Sequence, residues 1–303
     1  MPDSTAQALT LTVAAADPDQ FARAHALAQG ALAAVSADLG GETALSPTAA
    51  QIAFAADRAA ARTAIARAFE GRPVDWSLQA GAPRLGRLLV CDMDSTIISC
   101  ECIDEIADVL GIKPQIAEIT ERAMRGELPF EAALEERVAR LKGVTEAQLE
   151  EVVATRVTLN PGAGTLTATM RAGGARAVLV SGGFTFFTAR VAETAGFDVH
   201  HANTLEVEAG ALTGRVVPPI LGRQAKQDAL ERHAAELGAS PDDVVGIGDG
   251  ANDLDMLRRA GLGVAYRAKP IVEAEADARI ATGDLRSALY FQGVRAADFV
   301  ERG

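Results

Sequence analysis

The sequence predicts an α/β protein. Its core is a doubly wound, Rossmann-like parallel sheet with a helical cap inserted after the first core strand, and a small ferredoxin-like α+β domain precedes it. Two observations lead to the core. The runs LLVCD (88–92), AVLVSGG (177–183) and VVGIGDG (244–250) are continuously apolar, and each ends in Gly or Asp. Strands apolar on both faces belong to parallel sheets covered by helices, and a helical segment follows each run. A third observation, a long helical stretch over roughly 98–163, predicts the cap, because it is too long for a simple crossover.

The N-terminal elements follow in order. ALTLTV (8–13) reads as a strand and 17–39 as a helix. Short strands are expected around 42–45 and 51–55, a helix over 58–69 and a last strand over 74–78. The order βαββαβ is a split βαβ, ferredoxin-like pattern. GAPRLG (81–86) supplies turn residues for a linker. The expected domains are therefore 1–83 and 84–303, with the cap at about 98–163.

Four helical segments make the cap: CIDEIADVLGI, PQIAEITERAMRG, PFEAALEERVARLKG and TEAQLEEVVATRV. In the third, Arg137 falls on the apolar stripe of Phe130, Leu134 and Leu141. An arginine there must snorkel or find an anion. Lys226 occupies the first turn of a later helix, on the unfavourable side of the helix dipole. An anion between core and cap would account for both placements.

Composition narrows the class. Apolar residues make up 49% of the 303-residue chain, enough for a sizeable core. Asp and Glu outnumber Lys and Arg by 41 to 29, a formal charge of −12, and no basic stripe is evident, so nucleic acid is not an expected partner. Cys91, Cys100 and Cys102 lack CxxC spacing and read as small hydrophobes. No signal-like segment and no apolar run of the ~18 residues a membrane helix needs is present, so a cytoplasmic protein is expected.

In parallel α/β sheets, ligands sit at the carboxyl ends of strands. Asp92, Ser181 and Asp249 should therefore converge. Asp92 and Asp94 at one strand end, with Asp249 at another, suit a hard cation such as Mg²⁺. Ser181-Gly182-Gly183 before a helical run reads as an N-cap with N–H groups for a phosphate. Residues 246–251 also fit the GxGxxA form of a dinucleotide site, with Glu273 about 20 residues on. Asp249 and Asp253 would there face a pyrophosphate with like charge, which argues against it.

DMDST (92–96), VSGGF (180–184), Lys226 and GDGAND (248–253), in that order, resemble the haloacid-dehalogenase-like phosphatases. The stretch 91–253 is closer still to the phosphoserine phosphatases among them, including the segments CECIDEIA and RGELPFEAALEERVARLKG. The resemblance covers 87–290 and implies a Mg²⁺-dependent phosphomonoester hydrolase acting on O-phospho-L-serine in the last step of serine biosynthesis. It implies that Asp92 is the nucleophile, forming an aspartyl-phosphate, and Asp94 the general acid and base. Asp92, the Asp94 backbone oxygen and Asp249 would hold Mg²⁺, with Asp253 supporting the metal's waters. Ser181, Gly182, Lys226 and Asn252 would bind the phosphoryl group. Glu101 and Arg137 would read the substrate's ammonium and carboxylate, and Phe130 and Met124 would close the pocket. The alternatives are the same chemistry on another small phosphorylated metabolite and a non-catalytic amino-acid sensor. Some members carry an ACT-type sensing domain, but AADPDQF (15–21) lacks the tight-turn glycine of such sites. A structural role, or a homodimer formed through this domain, is the expectation. His25, His200, His201 and His233 read as packed or surface residues.

Overall fold

The computed structural model describes residues 6–125 and 127–302, with Met124 described by its backbone alone. The chain begins with β1 (Gln7–Ala14), α1 (Pro18–Ala34), β2 (Asp38–Ser46), β3 (Ala49–Ala56), α2 (Arg58–Ala68) and β4 (Asp75–Ala80). Asp17 and Asp57 cap the two helices, accepting the N–H of Gln20 and of Ala60, each at 2.8 Å. The strands pair antiparallel in the order β2-β3-β1-β4. Leu9, Leu11, Val13, Ile52, Phe54, Trp76 and Leu78 pack with residues of both helices in one core.

The helix expected over 17–39 stops at Ala34. Ser36 turns into the left-handed region, φ +52°, and Asp38 and Leu39 join β2. Val35 continues the buried period Ala24, Ala28, Ala31, Leu32 but is only half-buried at the C-cap, and Ser36 then turns the chain out of the helix. An alanine-rich sequence conceals that boundary.

The remainder runs β5 (Leu88–Cys91), α3 (Cys102–Val109), α4 (Lys113–Met124), α5 (Phe130–Ala139), α6 (Glu146–Arg156), α7 (Ala163–Ala172), β6 (Arg176–Phe184) and α8 (Thr185–Ala195). It continues with β7 (Val199–Glu208), β8 (Ala211–Val217), α9 (Gln224–Leu237), β9 (Val244–Gly248), α10 (Leu254–Arg259), β10 (Leu262–Tyr266), α11 (Pro270–Glu275), β11 (Ala278–Ile280) and α12 (Ser287–Phe291). Strands β11-β10-β9-β5-β6-β7 are parallel, and β8 adds antiparallel at the edge. Leu89 and Cys91 pack on the side of α7 and α8, while Leu88 and Val90 pack on the side of α9, α10 and α11. Burial on both faces explains why these strands read as unbroken apolar runs. The chain leaves β5 toward β6 and later returns to β9 on its other side, which opens a crevice at the ends of β5, β6 and β9.

Helices α3–α6 form an insertion between β5 and β6. Its two ends meet at an antiparallel bridge between Ile98 and Leu159. Asn160 secures that neck by donating to the carbonyls of Thr96, 2.8 Å, and Ile98, 3.0 Å. The other end of the insertion is tied to the β7–β8 hairpin. Gly143 donates to Leu212 O, and Leu212 N–H donates to Val144 O, both at 2.8 Å.

The N-terminal strands do not stand apart from this sheet. β4 pairs antiparallel with β11, making one sheet of eleven strands. Asp75 lies at the seam, 1% exposed. Its Oδ1 accepts the N–H of Ala281, Thr282 and Gly283 at 2.9, 3.2 and 3.2 Å, and its Oδ2 accepts from Ser287 Oγ at 2.7 Å. Burial pushes its pKa upward against the pull of these bonds. Asp75→Ala would orphan these donors beside a cavity, so it should destabilise the protein by about 3 kcal/mol or more in chemical denaturation. Asp75→Asn, which keeps one acceptor oxygen, should cost less.

Candidate active site

β5 ends one residue before Asp92. The chain then makes a single wide turn over Met93–Ile97, with Ser95 in the left-handed region at φ +56°. That turn aims the two aspartates differently. Asp92, 5% exposed, accepts the Met93 N–H at 2.8 Å and an ion pair from Lys226 Nζ at 2.8 Å, both on Oδ1. Asp94 points toward β6 and α3. Its Oδ1 accepts the Cys102 N–H at 2.9 Å, and its Oδ2 accepts from Ser181 Oγ at 3.0 Å.

Lys226 comes from the first turn of α9 and is 3% exposed. Besides Asp92 it binds Asp253 Oδ1 at 2.6 Å. Burial opposes its charge, but Asp253 and Asp92 outweigh burial and raise its pKa above the ordinary lysine value. Asp253 is fully buried, and its Oδ2 accepts the Gly250 N–H at 2.9 Å. Asp249 accepts from Thr96 Oγ1 at 3.1 Å. One carboxylate oxygen from each of Asp92, Asp249 and Asp253 lies within 4.8 Å of the other two. Burial, then the neighbouring charge of Asp253, pushes the pKa of Asp92 and of Asp249 upward. Burial likewise raises Asp94.

Three carboxylates against one ammonium leave an excess of two negative charges in a desolvated crevice. A hard divalent cation with oxygen ligands fits that excess and that donor set. The Asp94 side chain is turned away from the cluster, so its carboxylate is not among these donors.

The Ser181 N-cap expected from the sequence is not formed. β6 runs on to Phe184, and α8 starts at Thr185. Ser181 Oγ instead accepts the Gly183 N–H at 2.8 Å while donating to Asp94. The register between β6 and β7 is broken between Val180 and Phe184, so these residues leave the ladder before a helix can begin. Phe130, the first residue of α5, packs over the gap. A Cβ added at Gly182 would lie 3.4 Å from its ring, and one at Gly222 would lie 3.7 Å from it.

Glu101 precedes α3 and accepts from Ser95 Oγ at 2.7 Å. Its side chain still touches solvent, yet protein surrounds most of it. Burial and then the Asp94 charge push its pKa up to about 7. Arg137 is half-buried, with Ala133, Leu134 and Val138 buried around it on α5. Its Nε donates to Ala133 O at 3.2 Å, and among the described residues no carboxylate lies within salt-bridge distance of its guanidinium. Burial lowers its pKa, against the pull of Asp104 and Glu101.

Asp92, Lys226 and Asp253 are thus joined by ion pairs, with Asp249 within 4.8 Å of the two carboxylates, while Asp94 and Ser181 form a separate hydrogen-bonded pair and Gly182 lies close to Phe130. Glu101 is hydrogen-bonded to Ser95. Arg137 lies within electrostatic reach of Glu101 rather than in contact with it. Asn252 is exposed on the short turn Ala251–Asp253, and the Met124 side chain lies outside the described residues. Ser95, Thr96, Asn160 and Asn203 are not singled out by the sequence. The first two stand inside DMDST, whereas the asparagines carry no local signal. The dinucleotide alternative is disfavoured by Asp253, buried at the start of the helix where a pyrophosphate would dock, and by Glu273, 3.6 Å from Arg279. His201 and His233 are packed together with ring centroids 5.2 Å apart, and all three cysteines are free. Cavities of about 290 and 420 Å³ lie beside the β4–β11 seam, and neither is lined by the carboxylate cluster or Lys226. Charge and hydrogen bonding locate the site.

The pattern of the haloacid dehalogenase-like hydrolases matches residues 89–258, more than half of the chain. The chain belongs to that family. A phosphoserine phosphatase from Albidiferax ferrireducens is 47% identical over 204 residues, covering 66% of this chain and 86% of that protein. The crystal structure of a family hydrolase from Salmonella enterica serovar Typhi superposes with a TM-score of 0.81 at 30% identity, over 95% of this chain and 98% of its own. A phosphoserine phosphatase solved as a phospho-aspartyl intermediate analogue gives a TM-score of 0.63 at 38% identity, over 69% of this chain and 99% of that one. Among the described residues, no helix is long and apolar enough to cross a membrane.

Lys226 offsets the buried carboxylates Asp92 and Asp253 at the same time. In chelator, Lys226→Met should therefore lower stability by about 3–5 kcal/mol in urea unfolding. A loss below about 1 kcal/mol would mean the carboxylates are neutralised by protonation instead.

Proposed function

We propose that this hydrolase removes phosphate from O-phospho-L-serine, completing serine biosynthesis in the cytoplasm. The observation that carries the reading is the pairing of two unlike surroundings. The Asp92–Lys226–Asp253 network lies at the strand ends, and beyond it stand one carboxylate and one guanidinium, Glu101 and Arg137, neither in an ion pair with a described residue. The first suits a phosphoryl group, the second a zwitterionic amino-acid head. The similarity to phosphoserine phosphatases supports the same choice.

In this reading Asp92 attacks phosphorus as the bond to the serine oxygen breaks, leaving phosphate on the Asp92 carboxylate. Asp94 gives its proton to the departing alkoxide, a role suited by a pKa raised by burial. Water then attacks phosphorus, Asp94 takes its proton and the Asp92–phosphorus bond breaks. Lys226, Ser181, Gly182 and Asn252 hold the equatorial oxygens, where phosphoryl transfer needs charge neutralised. Asp92, the Asp94 carbonyl and Asp249 are the residues we assign to Mg²⁺, with Asp253 beside them. When bound, the ion neutralises charge on the transferring group. Arg137 matches a carboxylate by two-point hydrogen bonding, Glu101 receives the ammonium, and Phe130 closes the pocket. We assign 84–303 to the phosphatase core with its cap at about 98–163. Residues 1–83 form a ferredoxin-like domain with a structural or dimerising role, a reading supported by the strand order β2-β3-β1-β4.

The direct test is phosphate release from L-phosphoserine, phosphoethanolamine and phosphoglycolate. Phosphoserine should be preferred, chelator should abolish turnover and Mg²⁺ should restore it. Asp92→Asn should lower kcat by at least about 10³-fold, consistent with loss of a covalent nucleophile. A preference for phosphoglycolate would sink the assignment of Glu101 and Arg137.

A second expectation concerns pH. With its pKa at about 7, Glu101 is largely protonated at pH 6 and ionised at pH 8. An incoming ammonium favours the ionised form, so binding below pH 7 must expel a proton and weakens by up to about tenfold per unit. KM for phosphoserine should accordingly fall as pH rises from 6 to 8. Glu101→Gln should raise KM at pH 8 and flatten that part of the profile, leaving only the slope from the phosphate's own ionisation. An unchanged slope would transfer the ammonium contact to another group.

A further inference from the structure

Asn203 lies on β7, one strand out from β6, and is 1% exposed. Its carboxamide makes three bonds. Nδ2 donates to Gly182 O at 2.9 Å and to Leu221 O at 3.3 Å, and Oδ1 accepts the Leu221 N–H at 2.7 Å. One target lies in the Ser181–Gly183 segment. The other lies three residues before the start of α9, whose first turn carries Lys226.

The sheet register explains why a side chain is needed here. β6 and β7 pair in step at Val178↔Val199, Leu179↔His200 and Val180↔His201, and the next pair is Phe184↔Asn203. From Val180 to Phe184 β6 advances four residues, while from His201 to Asn203 β7 advances two. Ser181, Gly182 and Gly183 are thereby released from the ladder, as at bulges that re-aim groups beside active sites. The Gly182–Gly183 peptide is then held by side chains, its carbonyl by Asn203 and its N–H by Ser181 Oγ. The same amide fixes both the N–H and the carbonyl of Leu221. Phe130 covers Gly182 and Gly222 together.

We infer that Asn203 is a positioning residue for the reaction proposed above, on which this inference rests: it fixes the Gly182 turn and the approach to Lys226 in one geometry and so shapes the phosphoryl pocket. Only an amide fits, because the site needs a donor toward two carbonyl oxygens and an acceptor for an N–H. Aspartate would set a carboxylate oxygen against those carbonyls until it took up a proton. Protonated, it would restore one donor and one acceptor. Glu101 and Arg137, which contact neither Gly182 nor Leu221, should not register the change.

The test compares Asn203→Asp and Asn203→Ser with wild type. It reads kcat, KM for phosphoserine, thermal unfolding, and product inhibition by inorganic phosphate and by L-serine separately. The expected result is a fall in kcat of about 10- to 100-fold and a similar rise in the inhibition constant for phosphate, the range for displaced supporting groups, with that for L-serine changed less than about twofold. In Asn203→Asp, kcat relative to wild type should recover as pH falls from 8 to 6. Phosphate and serine constants that shift together, or an Asp variant without recovery at low pH, would overturn the inference in favour of a purely structural role. Should both variants fail to fold, Asn203→Gln, which keeps the amide but displaces it, must show the same phosphate-over-serine split, and equal changes overturn it. If the wild type releases no phosphate from phosphoserine, it is the functional reading that has failed. Phosphate binding to each variant, followed by calorimetry, then judges Asn203 independently.

Discussion

One buried ammonium group holds the crevice together. Lys226 reaches Asp92 from the end of β5 and Asp253 from the turn after β9, at 2.8 and 2.6 Å, and burial leaves the two carboxylates little screening by water. Remove that charge and Asp92 and Asp253 repel at close range in a medium of low dielectric. The rest of the site follows from this constraint. The lysine must lie in the first turn of α9, against the helix dipole, because only there can it span β5 and β9. The order of the parallel strands must reverse around β5, because only a switch point brings these two strand ends side by side with a helix start facing them.

The second constraint is charge left unanswered. Lys226 balances one of three clustered carboxylates, and Arg137 is half-buried among apolar residues of α5 with no carboxylate among the described residues within salt-bridge distance. Proteins rarely bury charge without a partner, so both departures from self-sufficiency support the ligands proposed above. On that proposal the two partners differ in kind, a compact cation at the strand ends and a planar anion at Arg137. Glu101, whose pKa lies near neutrality, adds a group that responds to an approaching ammonium. The β7–β8 hairpin anchors the end of α5, which carries Arg137, through backbone hydrogen bonds to Gly143 and Val144, so that helix is not held by side-chain packing alone.

Much of this is legible in the sequence wherever burial on both faces or a strand-end charge leaves a mark. LLVCD and VVGIGDG announce β5 and β9, and DMDST and GDGAND announce the carboxylates, because a buried parallel strand gains nothing by stopping on aspartate unless a cation or a ligand lies beyond it. The Ser181 turn misleads for a definite reason: SGG before a helical run is also how a capped helix begins, and only the lost register with β7 shows that the serine turns toward Asp94. The α1 boundary is hidden by alanine, which suits a helix whether or not a core lies beneath it. Asn203 leaves no local trace at all, since its partners are 18 and 21 residues away in the chain and its role exists only once β6 and β7 are laid side by side.

The N-terminal strands tell the same story at larger scale. Read locally, 1–83 is a separate βαββαβ unit, and GAPRLG looks like a tether. Yet β11 has three residues and would be a bare sheet edge without β4, and unpaired edges invite association with other chains. The face of the N-terminal sheet away from its helices carries Thr10, Thr12 and Ser77, all buried. Beside it, Gln51 and Gln79 donate to the carbonyls of Tyr290 and Phe291 in α12. Asp75 then threads the loop after β11 onto the same seam. Polar residues on that face are what a sheet needs when its second surface must be hydrogen-bonded to another part of its own chain. The buried Thr10, Thr12 and Ser77 on that face are therefore the signature of an internal interface, and the N-terminal unit is built as the closing edge of the catalytic sheet.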